Sequence, residues 1–185
     1  MASSCWIALG LSVLLLAGCT ASAGLPSYGV VPDFELIDQS NRQFLSASTL
    51  RGKVWIADFI FTNCAGPCPR MSAQMRQVDN ALHDVKFVSF TVDPARDTPE
   101  VLAKYAERYQ AEPGIWYFLT GPQPALHNLA RHVFLLGDVN GDLQHSTRFV
   151  LVDKQSRIRG YYLTADEDAI PRLIADAKQV LKERF

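Results

Sequence analysis

The sequence lacks a strong charge of either sign. Its 185 residues carry 18 Lys and Arg against 19 Asp and Glu, a formal net charge of -1 at pH 7, and no long basic or acidic run interrupts it. This balance gives no support to nucleic acid as a partner. Internal repeats and a second domain are absent too. A chain of this length with 48% hydrophobic residues is expected to form one globular domain.

Cysteine is scarce, and two of the four cysteines lie in an N-terminal segment that is typical of a targeting signal. The sequence from Ile7 to Ala17 is almost wholly apolar, although no Lys or Arg precedes it. Leu16-Ala17-Gly18-Cys19 resembles the lipobox of bacterial lipoproteins, in which the cysteine becomes the lipidated first residue of the mature chain. The alternative is an uncleaved membrane anchor from Cys5 to about Ala23.

The lipobox predicts a signal peptide at residues 1–18 and an extracytoplasmic lipoprotein anchored to a bacterial membrane through Cys19. Residues 19–31 contain small residues, Gly and Pro, as expected of a flexible tether, and residues 32–185 form the domain. If Cys19 is acylated, the mature chain keeps two free thiols, Cys64 and Cys68.

Those two cysteines occupy the junction between a predicted strand and a predicted helix. Val54 to Phe61 has the β-branched and aromatic content of a buried strand, and Pro69 suits the first turn of a helix that begins after the loop. At a helix N-terminus the dipole stabilises a thiolate, so we expect a lowered pKa for Cys68. The spacing of Cys64 and Cys68 allows a disulfide and equally allows both sulfurs to bind one ion.

Asp58 is an unusual residue for a buried strand. A carboxylate among aromatic and aliphatic neighbours needs either a hydrogen-bond partner or a raised pKa. It is therefore either a structural residue or a candidate proton acceptor for the two thiols.

The order of the predicted elements indicates an α/β fold of the thioredoxin-like type. A β-hairpin around Ser40-Asn41 comes first, and a βαβ unit, another helix, a second β-hairpin and a C-terminal helix follow. We expect a central mixed sheet with helices on both faces. The helix after Cys68 carries a stripe that includes Met71 and Met75, whose spacing favours a role in the core over thioether ligation of a metal.

Four stretches together resemble the Sco (SenC/PrrC) family: VWIADFIFTNC, the motif C-x-x-x-C-P from Cys64 to Pro69, FTVDPARDTPEVL, and His145-Ser146 ahead of FVLVD. The resemblance covers about Pro32 to the C-terminus. It implies a thioredoxin-like fold and a copper site formed by Cys64, Cys68 and His145. It also implies a metallochaperone that assists assembly of the binuclear copper centre of cytochrome c oxidase, with the copper-A-bearing subunit as partner.

The residue types agree with copper. Soft thiolates select Cu(I), imidazole suits Cu(II), and a set of two sulfurs and one nitrogen can hold both oxidation states. A closed structural zinc site would need a fourth strong ligand, but the predicted domain has no further cysteine and no second histidine with a clear claim to the site.

A thiol-disulfide oxidoreductase without a role in copper delivery is the main alternative. Ala65-Gly66-Pro67 contains the Gly-Pro of a thioredoxin motif with one residue added, and Cys64 and Cys68 would be its redox pair. The position of Asp58 resembles that of the buried Asp of thioredoxin. A peroxiredoxin is a third hypothesis, but Thr62-Asn63-Cys64 supplies only part of the pattern that its peroxidatic cysteine requires.

Overall fold

The computed structural model describes residues 24–136 and 146–184. The predicted signal peptide, Cys19 and His145 lie outside the described residues. Within those two ranges no helix has the length and apolar character that a membrane-spanning helix needs.

Within the described residues, eight strands form one mixed sheet in the order β1-β8-β7-β4-β5-β6-β2-β3. The neighbouring strands β4, β5 and β6 run parallel, and all the other pairings are antiparallel. The strands are β1 Gly29–Val30, β2 Glu35–Asp38, β3 Gln43–Leu45, β4 Val54–Ile60, β5 Val85–Thr91, β6 Trp116–Thr120, β7 Arg148–Val152 and β8 Arg157–Leu163.

Five α-helices connect or cover these strands within the described part of the chain. A π-helix, Leu129–Val133, directly continues α4. The helices are α1 Ser46–Thr49, α2 Cys68–Ala81, α3 Pro99–Arg108, α4 Gln123–Asn128 and α5 Ala169–Lys182.

Strand β4 lies at the centre of the molecule and is buried on both faces. Successive side chains of a strand point to opposite faces, so Val54, Ile56 and Ile60 enter the cluster covered by α2, α3 and α5. Trp55 and Phe59 enter the cluster covered by α4 and the π-helix. This burial on both sides explains why every residue of the strand except Asp58 is apolar.

The predicted fold is confirmed in its main features: an α/β thioredoxin-like layout, a mixed central sheet, helices on both faces and an N-terminal hairpin. Strands β2 and β3 pair antiparallel, and Asn41 adopts a φ of 56° in the turn between them. Asn tolerates this left-handed conformation better than most residues. Met71 and Met75 are buried core residues, as their spacing predicts.

Part of the segment predicted as a tether is bound to the domain. Strand β1 pairs with β8, and the Arg159 guanidinium donates hydrogen bonds to the carbonyl oxygens of Leu25 at 2.7 Å and Pro26 at 3.0 Å. Strand β1 has only two residues and needs a partner strand, so composition alone did not predict it. The domain bounds beyond this segment stay a prediction.

Candidate functional site

The two site cysteines lie where β4 ends and α2 begins, as the sequence predicts. Strand β4 finishes at Ile60, and a turn follows in which the Cys64 N–H donates to the Phe61 carbonyl at 3.3 Å. Cys68 is the first residue of α2 and Pro69 the second, where proline costs no helical hydrogen bond. The parallel strands β4 and β5 both finish at this end of the sheet.

The two thiols are free, and their side chains are close enough for a hydrogen bond between them. Cys68 is 3% exposed and packs into the core under α2, whereas Cys64 is only partly buried and lies at its edge. A free pair in contact can be oxidised to a disulfide or can bind one soft metal ion. The more accessible Cys64 is the thiol that a partner molecule would reach.

The expected lowering of the Cys68 pKa is wrong. Burial raises the pKa of the Cys68 thiol to about 12, the neighbouring Cys64 thiol and the Asp58 carboxylate add to the rise, and a backbone hydrogen bond from Phe61 opposes it only in part. A helix N-terminus stabilises an anion by at most about 2 kcal/mol. Loss of solvent around a nearly fully buried sulfur outweighs that effect, and the sequence alone did not reveal the burial.

Asp58 faces the same side of the sheet as α2, because it lies two residues from both Ile56 and Ile60 along the strand. It is fully buried, and neither carboxylate oxygen has a hydrogen-bond partner among the described residues. Burial raises the pKa of Asp58 to about 7, although the nearby Ser89 hydroxyl acts to lower that pKa. A carboxyl group with this pKa can take up or release a proton near neutral pH.

The chain that enters β7 lies at the same end of the sheet. Strand β7 runs antiparallel to β4, so it begins where β4 finishes. The Thr147 carbonyl accepts hydrogen bonds from the Thr164 N–H at 2.8 Å and hydroxyl at 2.9 Å. Gln74 of α2 donates to the Thr164 carbonyl at 3.1 Å. These contacts join the helix that carries Cys68 to the segment that directly follows His145.

The thiol pair fits a soft metal ion, but it does not complete a site within the described residues. No group of three or more His, Cys, Asp or Glu residues in those ranges could hold a metal. A third protein ligand from outside those ranges, such as His145, stays a prediction. The donors that the structure does bring together are the sulfurs of Cys64 and Cys68.

A thioredoxin-like fold with a free thiol pair at the start of its first long helix defines a dithiol protein of the thioredoxin-like class. The chain belongs to the SCO1/SenC family, whose family model matches residues 23–182. The Sco resemblance of the sequence is therefore confirmed.

Three solved structures show what this chain is similar to. A SCO1/SenC family lipoprotein from Bacillus anthracis str. Ames is 30% identical, with a TM-score of 0.76 over 86% of this chain and 100% of that one. BsSco, in which a disulfide switch was identified and which is described as a member of the Sco family of cytochrome c oxidase assembly proteins, is 31% identical, with a TM-score of 0.75 over 88% and 100%. Yeast Sco1 with copper bound is 26% identical, with a TM-score of 0.63 over 84% and 95%.

Sequence reasoning assigned no role to two residues that support this end of the sheet. Gln74 was indistinguishable from a solvated helix residue, because its partner Thr164 is 90 residues away along the chain. Asp97 lies in the stretch FTVDPARDTPEVL, yet nothing in the local pattern indicated that its side chain contacts Thr62, two residues after the end of β4. Both contacts are set by tertiary structure.

Proposed function

We propose that this chain is an extracytoplasmic copper-binding protein that assists assembly of the binuclear copper centre of cytochrome c oxidase. The observation that carries the proposal is the free thiol pair, one sulfur buried and one accessible, at the start of α2. Thiolates are soft ligands that favour Cu(I) over hard ions. Yeast Sco1, a relative with the same fold, is known with copper bound.

The proposed ligands are Cys64, Cys68 and His145. The hydrogen bonds between Gln74, Thr164 and Thr147 support the choice of His145, because they hold the chain next to it against α2. Buried Cys68 would anchor the ion, and accessible Cys64 would face a partner. Asp58 would accept a proton that the thiols lose on binding, since its pKa is about 7. Bound copper would supply a redox-active ion for transfer.

The proposed partner is the subunit of cytochrome c oxidase that bears the copper-A centre. BsSco, which is similar over 88% of this chain, is described as belonging to a family of oxidase assembly proteins. The proposed location is the outer face of a bacterial membrane, with Cys19 as the lipid attachment site. One relative of the same family, from Bacillus anthracis, is a lipoprotein.

We expect the reduced protein to bind one copper ion and its Cu(II) form to show thiolate-to-copper charge transfer. Binding requires both thiols in the thiolate form, so the thiols should lose about two protons for each ion bound. The solvent should gain fewer than two, because Asp58 would take up part of them. The measurement is a copper titration of reduced protein, followed by absorption spectroscopy and by pH recording in weak buffer.

Oxidation of Cys64 and Cys68 to a disulfide is the matched control, because it removes both thiolates and leaves every other side chain chemically unchanged. Tight binding should disappear in the oxidised protein. Retained affinity after oxidation, or a spectrum with nitrogen and oxygen ligands alone, would contradict the proposed copper site.

We expect Cys19→Ser to release the protein from the membrane while the domain stays folded and binds copper. The serine cannot be lipidated, and residue 19 precedes the part of the chain that Arg159 holds to the domain. The measurement is the distribution of the protein between membrane and soluble fractions of cells. Cys5→Ser, which falls inside the predicted signal peptide, should leave the distribution unchanged. Continued membrane association of Cys19→Ser would favour an uncleaved anchor.

A thiol-disulfide oxidoreductase without copper delivery is the second candidate. The specific observations in its favour are the contact between two free thiols and the buried Asp58 on the same side of the sheet. BsSco, for which a disulfide switch is described, also supports redox chemistry at such a pair. In this function Cys64 would be the attacking thiol, because it is the more exposed of the two.

A further inference from the structure

A buried carboxylate joins the end of β5 to the chain that leads to Cys64. Asp97 is 1% exposed and lies in the turn between β5 and α3. Its Oδ2 accepts a hydrogen bond from the Thr62 N–H at 3.2 Å and another from the Thr91 hydroxyl. Its Oδ1 accepts from the Thr62 hydroxyl. All of these groups donate to one carboxylate. Hydrogen bonds to an ionised carboxylate are stronger than those between neutral groups.

The hydrogen bonds from Thr62 to Asp97 lie beyond the end of β4, where the chain has left the sheet. The Val92 N–H donates to the Ile60 carbonyl at 2.8 Å, which is a backbone contact between the chain at the ends of β5 and β4. Thr62 follows two residues after Ile60 and precedes Cys64 by two residues. A backbone N–H cannot rotate to find another partner, so the Asp97 carboxylate fixes the direction in which the chain leaves β4.

Asp97 is itself held firmly. Its N–H donates to the Asp93 carbonyl at 2.9 Å, and the next residue, Thr98, caps α3 by accepting from the Val101 N–H at 3.4 Å. The Asp93 N–H donates to the Thr91 hydroxyl oxygen at 3.0 Å. The carboxylate therefore sits on a turn fixed at both ends, which is the kind of support that keeps a functional group in position.

We propose that Asp97 is a positioning residue for the dithiol site: through Thr62 it fixes the chain that carries Cys64 and so sets the geometry of Cys64 relative to Cys68. The residue acts through Thr62 and does not touch the sulfurs. The inference rests on the proposed function only in taking these two thiols as the working pair. Positioning of two reacting groups is measured by their effective concentration, which falls when one of them gains freedom of movement.

The test is the disulfide equilibrium of the metal-free protein in glutathione buffers. One S–S bond forms as the Cys64 and Cys68 thiols lose two protons and two electrons, and glutathione disulfide takes these up to give two glutathione thiols. The oxidised fraction follows from alkylation of the remaining thiols and mass measurement. We expect Asp97→Asn to lower the equilibrium constant for disulfide formation by about tenfold, a change of about 30 mV in reduction potential.

Asp153→Asn is the matched control, because Asp153 is also a buried carboxylate with several hydrogen bonds. It follows the last residue of β7, at the end of the sheet opposite to Cys64. This variant should lower the melting temperature and leave the disulfide equilibrium within about twofold of wild type, since its partners do not reach the thiols. An equal shift in both variants would show a general loss of stability and overturn the proposal.

Thr62→Val keeps the backbone N–H and removes only the hydroxyl donor, so it should give an intermediate shift. If Asp97→Asn does not fold, Thr62→Val alone tests whether the contact between Asp97 and Thr62 affects the disulfide equilibrium. Adding Thr62→Val to Asp97→Asn should change the equilibrium by less than the product of the two separate effects, because both act through one contact. A disulfide equilibrium that equals wild type in Thr62→Val and in any folded Asp97→Asn would overturn the proposal. Copper plays no part in this assay, so failed copper binding would contradict the proposed function alone.

Discussion

In the reduced, metal-free protein, replacing Asp58 by Asn should make the free energy of unfolding less sensitive to rising pH. Burial raises the pKa of Asp58 to about 7 from its ordinary value of 3.8. The folded state holds this proton more tightly than the unfolded state, so between these two pH values the unfolded state binds fewer protons and the free energy of unfolding falls as pH rises. The loss is complete above about pH 7 and amounts to about 4 kcal/mol.

Asp58→Asn has no such proton to lose. The free energy of unfolding of this variant, minus that of wild type, should therefore increase by about 4 kcal/mol between pH 4 and pH 8. Any fixed cost of burying an amide without partners is the same at both pH values and cancels in this comparison. Urea denaturation of both proteins at a series of pH values, with reductant and chelator present, measures the difference.

Asp153→Asn provides a control of opposite sign. Burial pushes the pKa of Asp153 up, but hydrogen bonds from Arg157, Gln155 and Arg159 outweigh burial and hold that pKa below its usual value. Its stabilising contribution is present above the unfolded pKa and is lost as pH falls through the folded one. Asp153→Asn should thus lower the free energy of unfolding relative to wild type by more at pH 8 than at low pH. A difference between Asp58→Asn and wild type that stays constant across pH would contradict an abnormally weak acid at this position.

Replacing His145 by alanine should weaken copper binding by more than about 100-fold, because loss of a residue that merely supports a metal ligand already costs 10–100-fold. The absorption spectrum of the Cu(II) form should change with the lost nitrogen ligand. The disulfide between Cys64 and Cys68 should still form, since both thiols remain. Copper titration with a competing chelator measures the affinity, and oxidase activity in cells that carry the variant measures assembly.

His132→Ala is the matched control. His132 is an exposed residue of the π-helix, so this variant makes the same chemical change at a position that should not affect the metal. Oxidase assembly should fail with His145→Ala and persist with His132→Ala if the protein delivers copper. A disulfide exchanger would keep its activity in both variants, since exchange depends on the thiolate fraction and access of Cys64 and Cys68. Unchanged copper affinity in a folded His145→Ala protein would favour the oxidoreductase.

Much of the fold could be predicted because it follows from local patterns. The run from Val54 to Ile60 is apolar except for Asp58, since it is buried on both faces, and Pro69 marks the first turn of α2. The start of β7 next to the end of β4 required the pairing of strands far apart in sequence, which periodicity does not reveal. The two-residue strand β1 carried too little pattern to be recognised within a stretch that resembles a tether.

Some features of the site likewise follow from local sequence, and others depend on tertiary structure. The residue types and spacing of Cys64 and Cys68 were sufficient to predict a thiol pair at a helix N-terminus, because these are properties of a few consecutive residues. The acidity of Cys68 was decided by tertiary structure. Whether a thiol is exposed at a helix end or buried beneath it depends on how α2 packs, and packing raised the pKa of Cys68 where the helix dipole alone would lower it. The support that Asp97 gives to Thr62 likewise spans 35 residues, and only the folded chain brings those two groups together.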